Sequence, residues 1–270
     1  MDSVDAVETR PLHRSDLPDL LRKVTVNDVG DIHDAAMCLK TVADEYDMRI
    51  ALCEDISSRE PMVDADGTLL HEEIFGWVTQ KDRWWEEKYL ALTSPMVRAC
   101  RYESQPFWCN VQGMFGIPQN EYLQEIDFTD HFQSFAQYKS AIVLPIHLPF
   151  GQISANSIHT TDAACEDMSD LFETHAQFFD LLIRRFIGGY VSAVRQKRCI
   201  PDNCVLSKRE VECLRWAALG KTDKEIGMII SLSHATVRYH FQRAGEKLNS
   251  VNRTQTIFKA GQLGYLGANN

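Results

Sequence analysis

Residues 205–266 read VLSKREVECLRWAALGKTDKEIGMIISLSHATVRYHFQRAGEKLNSVNRTQTIFKAGQLGYL. The stretch is dense in helix-start chemistry. Ser207 precedes Glu210 by three residues, Thr222 precedes Glu225, and Asn252 precedes Gln255. Each pair fits a capping box, in which the cap side chain and the third helical residue satisfy the orphan N–H groups of a new helix. Gly220 suits a left-handed helix C-terminus. Behind the caps, apolar residues recur at helical spacing: Val211, Leu214 and Ala218, then Ile226, Ile229 and Ile230, then Val237, Phe241, Ala244 and Leu248. The pattern predicts an all-α four-helix domain. Within it, Thr222 to Leu248 form a helix, a tight turn at Leu232-Ser233 and a second helix. That is a helix-turn-helix, whose second helix can enter the DNA major groove.

The same periodicity assigns the outward face. With Val237, Phe241 and Ala244 turned to the core, Arg238, Tyr239, Gln242 and Arg243 point outward. Arg pairs bidentately with guanine, and Gln with adenine. Lys221 and Thr222 start one helix, and Ser233, His234 and Thr236 the next, where backbone N–H groups and the helix dipole favour a phosphate. Lys247 and Arg253 are further candidates for backbone contacts that position without reading sequence. A four-helix packing module with a solvated charged face is the bland alternative.

These residues carry a resemblance. Arg209-Glu210, Trp216, Gly220-Lys221-Thr222, Glu225-Ile226, Thr236-Val237, Lys247-Leu248 and Asn252-Arg253 match the pattern of the LuxR family's DNA-binding domain. The resemblance implies four helices, transcriptional control and dimeric binding to a two-fold DNA site. A homodimer would set two recognition helices one DNA turn apart, ~34 Å, on an inverted-repeat operator of double-stranded DNA. RNA polymerase would be a further partner if the protein activates.

Charge divides the chain in the same place. From Cys204 onward there are ten Lys+Arg against five Asp+Glu, a net of +5, whereas the whole chain is −10, leaving −15 on residues 1–203. A basic end on an acidic remainder suits a DNA-contacting module attached to something that does not touch DNA. The 270 residues allow a larger domain, a linker and the small module. No apolar run approaches the ~20 residues of a membrane span, and the start MDSVDAVETRP lacks the basic and hydrophobic regions of a signal peptide. No membrane partner and a cytoplasmic location are therefore expected. The eight cysteines show no C-x-x-C spacing, which points to reduced thiols and to neither a metal site nor a disulfide framework. A redox role for Cys100 with Cys109, or Cys199 with Cys204, would require low thiol pKa values.

Upstream, residues 1–30 look like a polar N-terminal extension. A helix is expected over 32–46 and a strand over 48–53, with a second strand near 68–79. Helices are expected over 82–92, 95–101 and 119–137, with a short strand at 107–111. AIVLPIHLPFGQISANSIH reads as a hairpin turning at Pro149-Phe150-Gly151. Ser169 to Lys197 reads as a long helix with Leu171, Phe172, His175, Phe178, Phe179, Leu182, Ile183 and Phe186 on one side, Gly188-Gly189 as a loose point, and 196–204 as linker. The fold class is thus α/β: an α/β/α sandwich with an antiparallel sheet over 31–195, plus the helix-turn-helix domain over 205–270.

This larger part resembles the LuxR family's autoinducer-binding domain through Trp85-x-x-x-Tyr89, Ser94-Pro95, Phe107-Trp108, and Ser140-Ala141 before Leu144-Pro145-Ile146. The resemblance implies a ligand and dimerisation domain whose effector is a small-molecule autoinducer. It puts Trp85, Tyr89, Ser94, Trp108, Phe115 and Ala141 forward as ligand contacts. Departures accompany it. Ser94 stands where the family has an Asp that accepts from a ligand amide, Trp85 where it has Tyr, Lys81 where it has Trp, and Ala141 where it has Gly. A site losing such partners discriminates against the ligand they served, so the effector is an acyl-homoserine lactone, a different small molecule, or none. Aromatic core is the alternative for Trp85, Tyr89, Trp108 and Phe115, and a helix N-cap for Ser94.

The expected function is a regulator in which effector binding shifts how the DNA modules are presented or how stably the larger domain folds. The runner-up is a ligand-independent regulator, or one acting by heterodimerisation. A two-component response regulator ranks lower, because it needs a parallel βα repeat with a phosphorylatable Asp. An enzyme is not expected. No Gly-rich phosphate loop, H-E-x-x-H or G-x-S-x-G occurs, so neither catalytic residue nor cofactor nor metal is assigned.

Overall fold

The structure is a computed structural model, describing residues 16–58, 60–79, 86, 90–118, 120–123, 125–194 and 205–267. It divides into two compact units near residue 196.

The larger unit is built on an antiparallel sheet. Strand β1 (Met48–Ala51), β2 (Phe107–Asn110), β3 (Gly113–Phe115), β4 (Ser140–His147) and β5 (Ile153–Thr160) lie in the order β1-β5-β4-β2-β3. The β4–β5 hairpin pairs Ile142 with Ile158 and His147 with Ile153. Its turn runs through Phe150 and Gly151 at φ 65° and 72°, so Gly151 supplies a left-handed step most residues resist. Alternation along the strands sends Met48, Ile50, Trp108, Ile142, Leu144, Ile146 and Ile158 to one core, and Phe107, Cys109, Ala141 and Val143 to another.

The first core is closed by helices α1 (Leu17–Lys23), α2 (Ile32–Glu45) and α5 (Ser169–Val194). Helix α5 turns Phe179, Leu182, Ile183, Phe186, Ile187 and Tyr190 inward, so the aromatic stripe is intramolecular core. The second core takes Ala99 from α4 (Pro95–Ala99), which follows the short α3 (Leu90–Thr93), together with Cys100, Leu123, Ile126, Phe128 and Phe132. Helices on both faces of an antiparallel sheet make the expected α/β/α sandwich, and a sheet with no parallel pair among the described residues is not the repeat of a response regulator.

Several expectations need correction. Residues 16–30 are not mere extension: Leu20, Val24 and Val26 are buried in the first core. Val26 explains Gly189, where a Cβ would stand 2.4 Å from the Val26 carbonyl oxygen. Helix α5 runs unbroken through both glycines, and Gly189 admits a neighbouring backbone. The strand expected near 68–79 is a wide helical turn, Leu70–Ile74, because Leu70, His71 and Ile74 are buried at helical spacing. The helix expected over 119–137 is broken into short turns at Glu121–Leu123 and His131–Phe135. Between them the Asp127 carboxylate accepts from the Thr129 N–H at 2.8 Å, local pairing that competes with helix. Strand β3 was not anticipated. The expected helix over 82–92 lies largely outside the described residues, and the linker 196–204 wholly so.

Candidate nucleic-acid interface

The smaller unit contains α6 (Lys208–Ala218), α7 (Asp223–Ile229), α8 (His234–Lys247) and α9 (Arg253–Gln262). Ser207 with Glu210 and Thr222 with Glu225 form reciprocal capping boxes. Asn252 accepts from the Gln255 N–H at 2.9 Å, but the Gln255 amide turns to the Val251 N–H at 2.7 Å, so the third box is incomplete. Gly220 ends α6 at φ 80°. Leu214, Ala244, Leu248 and Ala260 form one part of the core, and Cys213, Ala217, Ile226 and Val237 another. Ala217 thus replaces Ala218 on the inner face, and Ile229 is 44% exposed.

The bend between α7 and α8 depends on a glycine that periodicity does not reveal. A Cβ on Gly227 would stand 2.6 Å from the Leu232 carbonyl oxygen. The Leu232 N–H donates to the Gly227 carbonyl at 2.9 Å, and Ser231 takes φ 55°. The turn packs directly on the α7 backbone. Ser233 then caps α8, its Oγ accepting from the Thr236 N–H at 3.0 Å and meeting Thr236 Oγ1 at 2.8 Å. Thr222 is engaged likewise, its hydroxyl donating to Glu225 at 2.7 Å.

Helix α8 exposes Arg238, Tyr239, Gln242, Arg243 and Glu246. Among the described residues the Arg238 guanidinium has no hydrogen-bond or ion-pair partner, and Tyr239 is 58% exposed. Lys221 is exposed at the start of α7, and His234 Nε2 lies 3.9 Å from Asp223. Gln242 and Arg243 instead converge on Glu246, at 3.1 Å and 2.8 Å.

Two expected backbone contacts have structural partners. Lys247 Nζ donates to Glu210 at 2.7 Å, tying α8 to the start of α6. Arg253 pairs with Asp223, donates to the Lys221 carbonyl at 3.1 Å, and stacks 4.0 Å from the Phe241 ring centroid. Both side chains are half-buried ties between helices, a placement that outward-face reasoning missed because the partners are remote in sequence.

A protein-family model described as "Bacterial regulatory proteins, luxR family" matches residues 204–260. These residues thus carry a LuxR-type helix-turn-helix domain. The transcriptional activator protein VanR of Vibrio anguillarum is 36% identical over 128 residues, 47% of this chain and 52% of VanR. That match spans about half of the relative's length. AhyR, a transcriptional activator protein of Aeromonas hydrophila, is 27% identical over 220 residues, 81% of this chain and 79% of AhyR. A crystal structure of Escherichia coli SdiA is 19% identical with a TM-score of 0.47, covering 92% of this chain and 96% of that one.

Of the ligand contacts that the LuxR resemblance implies, Trp108 and Phe115 lie on one face of the sheet and Ala141 on the other. Trp85 and Tyr89 lie outside the described residues. Trp108 stacks on Phe115 across β2 and β3, centroids 4.3 Å apart, within the first core. Ala141 lies in the second core, on the other face of the sheet. Ser94 is buried as the cap of α4, its Oγ accepting from the Val97 N–H at 3.5 Å. Adjacent strand residues face opposite ways, so linear landmarks cannot be assumed to share a pocket.

A polar aromatic group at β5 escaped the sequence reading. His159 is 1% exposed, its ring centroid 3.6 Å from Tyr138 and 5.2 Å from Trp77. His159 Nε2 lies 2.8 Å from Ser157 Oγ, while Nδ1 has no hydrogen-bond partner among the described residues. Burial lowers its pKa to about 3, and that of His131 to about 4. Isolated histidines in strand or turn patterns give no signal. Burial likewise pushes the Cys100 thiol up to about 12 and Cys109 well above its usual value, which opposes a redox role for that pair, while Cys199 and Cys204 lie outside the described residues. No described helix is long and apolar enough to cross a membrane. Among the described residues, no group of three His, Cys, Asp or Glu could hold a metal ion.

Proposed function

We propose that this chain is a sequence-specific DNA-binding transcription regulator that acts as a dimer, its larger unit taking a small signal molecule. The observation that carries the reading is the exposed Arg238, without a partner among the described residues, on α8 of a module matching the LuxR family model. Arg238 and Tyr239 read base edges, and Lys221 and the start of α8 meet phosphate. Two copies place their α8 helices on the halves of an inverted repeat. The names of VanR and AhyR, both transcriptional activators, support the regulatory role.

The effector reading draws on the sandwich fold and on the resemblance of the larger unit to the autoinducer-binding domain. An effector that prefers one state shifts the population toward it, and so couples the larger unit to DNA occupancy. The test is selection of bound duplexes from a random pool by the full chain, with and without a panel of acyl-homoserine lactones. One enriched inverted repeat is expected; no enrichment under any condition overturns the reading. Melting with the same panel tests the effector: at ~100 times its Kd, a ligand adds about 2.7 kcal/mol of stability. Selective DNA binding with no melting shift across the panel would favour the ligand-independent alternative.

A further inference from the structure

The outer face of α8 divides into unlike halves. Toward its start, Arg238 is exposed and has no partner among the described residues. One and two turns on, the polar groups satisfy one another: Glu246 Oε1 accepts from Gln242 Nε2 at 3.1 Å and Oε2 from Arg243 Nη1 at 2.8 Å. Arg238, Gln242 and Glu246 follow at intervals of four, so the carboxylate shares a stripe with the expected base-reading residues. Both Arg243 and Glu246 are about half exposed, and solvent or DNA can reach the pair.

We propose that Glu246 is a specificity-determining residue that competes with DNA for Gln242 and Arg243, an inference resting on the DNA-binding reading above. A phosphate can replace the carboxylate at Arg243, but it leaves Glu246 and Gln242 unpaired beside a polyanion. A matched sequence can serve all three groups: guanine accepts from Arg, adenine pairs with Gln, and the cytosine amino group donates to Glu. Random duplex therefore meets a penalty that the matched duplex escapes, and discrimination arises from disfavouring the wrong partner. Glu246 acts through Arg243 as a positioning residue as well as by its own charge.

The test compares wild-type protein, Glu246→Gln, Arg243→Gln and the double variant, all as full chains. Each is titrated by fluorescence anisotropy with the selected duplex and a random duplex over a range of salt. Glu246→Gln is expected to bind random duplex about three- to tenfold more tightly while changing the selected duplex less. Its salt slope on random duplex should steepen by about one phosphate contact as Arg243 is released, which a purely structural role would not produce. In the Arg243→Gln background, the further change should be smaller, leaving only the effect of the Glu246 charge itself. Equal effects of Glu246→Gln on both duplexes, an unchanged salt slope, or the full effect persisting without Arg243 would each overturn the proposal. Wild-type protein that selects no sequence would instead remove the parent reading, and this inference with it.

Discussion

The Lys247 ammonium lies 2.7 Å from the Glu210 carboxylate, joining the last turn of α8 to the capping box that starts α6. Glu210 is 4% exposed and also accepts from the Ser207 N–H at 2.6 Å. Burial works to raise its pKa, but Lys247 and the Ser207 N–H outweigh that and hold it below the usual range. Lys247→Ala leaves a buried carboxylate without its counter-charge. A loss of about 1–3 kcal/mol in urea unfolding of the full chain is expected. A depressed carboxylate pKa stabilises above the unfolded value, so the deficit should shrink as pH falls and Glu210 protonates. An unchanged unfolding midpoint at neutral pH would show that the tie contributes nothing.

Gly227 faces the Leu232 carbonyl at a distance no side chain can share. Gly227→Ala should cost about 1–3 kcal/mol through overpacking and reopen the angle between α7 and α8. Thermal melting and DNA affinity should fall together. Gly264→Ala is a control at a positive-φ glycine where nothing lies within 4 Å of the added Cβ, so its effect isolates backbone strain.

Arg238→Ala is expected to lose about 1–3 kcal/mol at one base-pair position and to relax preference there. Competition titrations with every substitution in the selected site provide the measurement. A uniform loss on all duplexes would move the reading face away from Arg238.

His159 is held neutral, because burial drops its pKa from 6.5 to about 3. The unfolded chain binds the proton first, so stability is fully present above pH ~6.5 and falls as acid is added, until the folded group protonates near 3. The expected slope is ~1.4 kcal/mol per pH unit from this residue. Unfolding of wild type and His159→Phe between pH 7 and 4.5 should differ by that slope. Parallel curves would place the proton uptake elsewhere.

Much of the smaller unit was legible in its chain because its determinants are local. Ser207 and Glu210, and Thr222 and Glu225, stand a fixed interval apart, and a cap is a contact within one turn. The larger unit was legible where an apolar segment is long, as in the continuously buried β4 and the helical stripe of α5, and failed where the segment was short. Leu70, His71 and Ile74 span too few residues to separate strand from helical turn. The site residues divide the same way. Arg238 could be placed outward by counting, whereas Arg253 and Lys247 required partners 30 and 37 residues away, Asp223 and Glu210.

The amino-acid sequence by itself determined the two-part organisation of charge, the helix-turn-helix and the outward position of Arg238, because each follows from spacing within a few turns. Tertiary structure alone decided which cations on that module are free and which are ties. It also put Trp108 and Ala141 on opposite faces of one sheet and closed Glu246 over Gln242 and Arg243. Those outcomes depend on distance and direction in space, and a side chain's availability is set by its nearest neighbours in the fold, which the order of residues does not name.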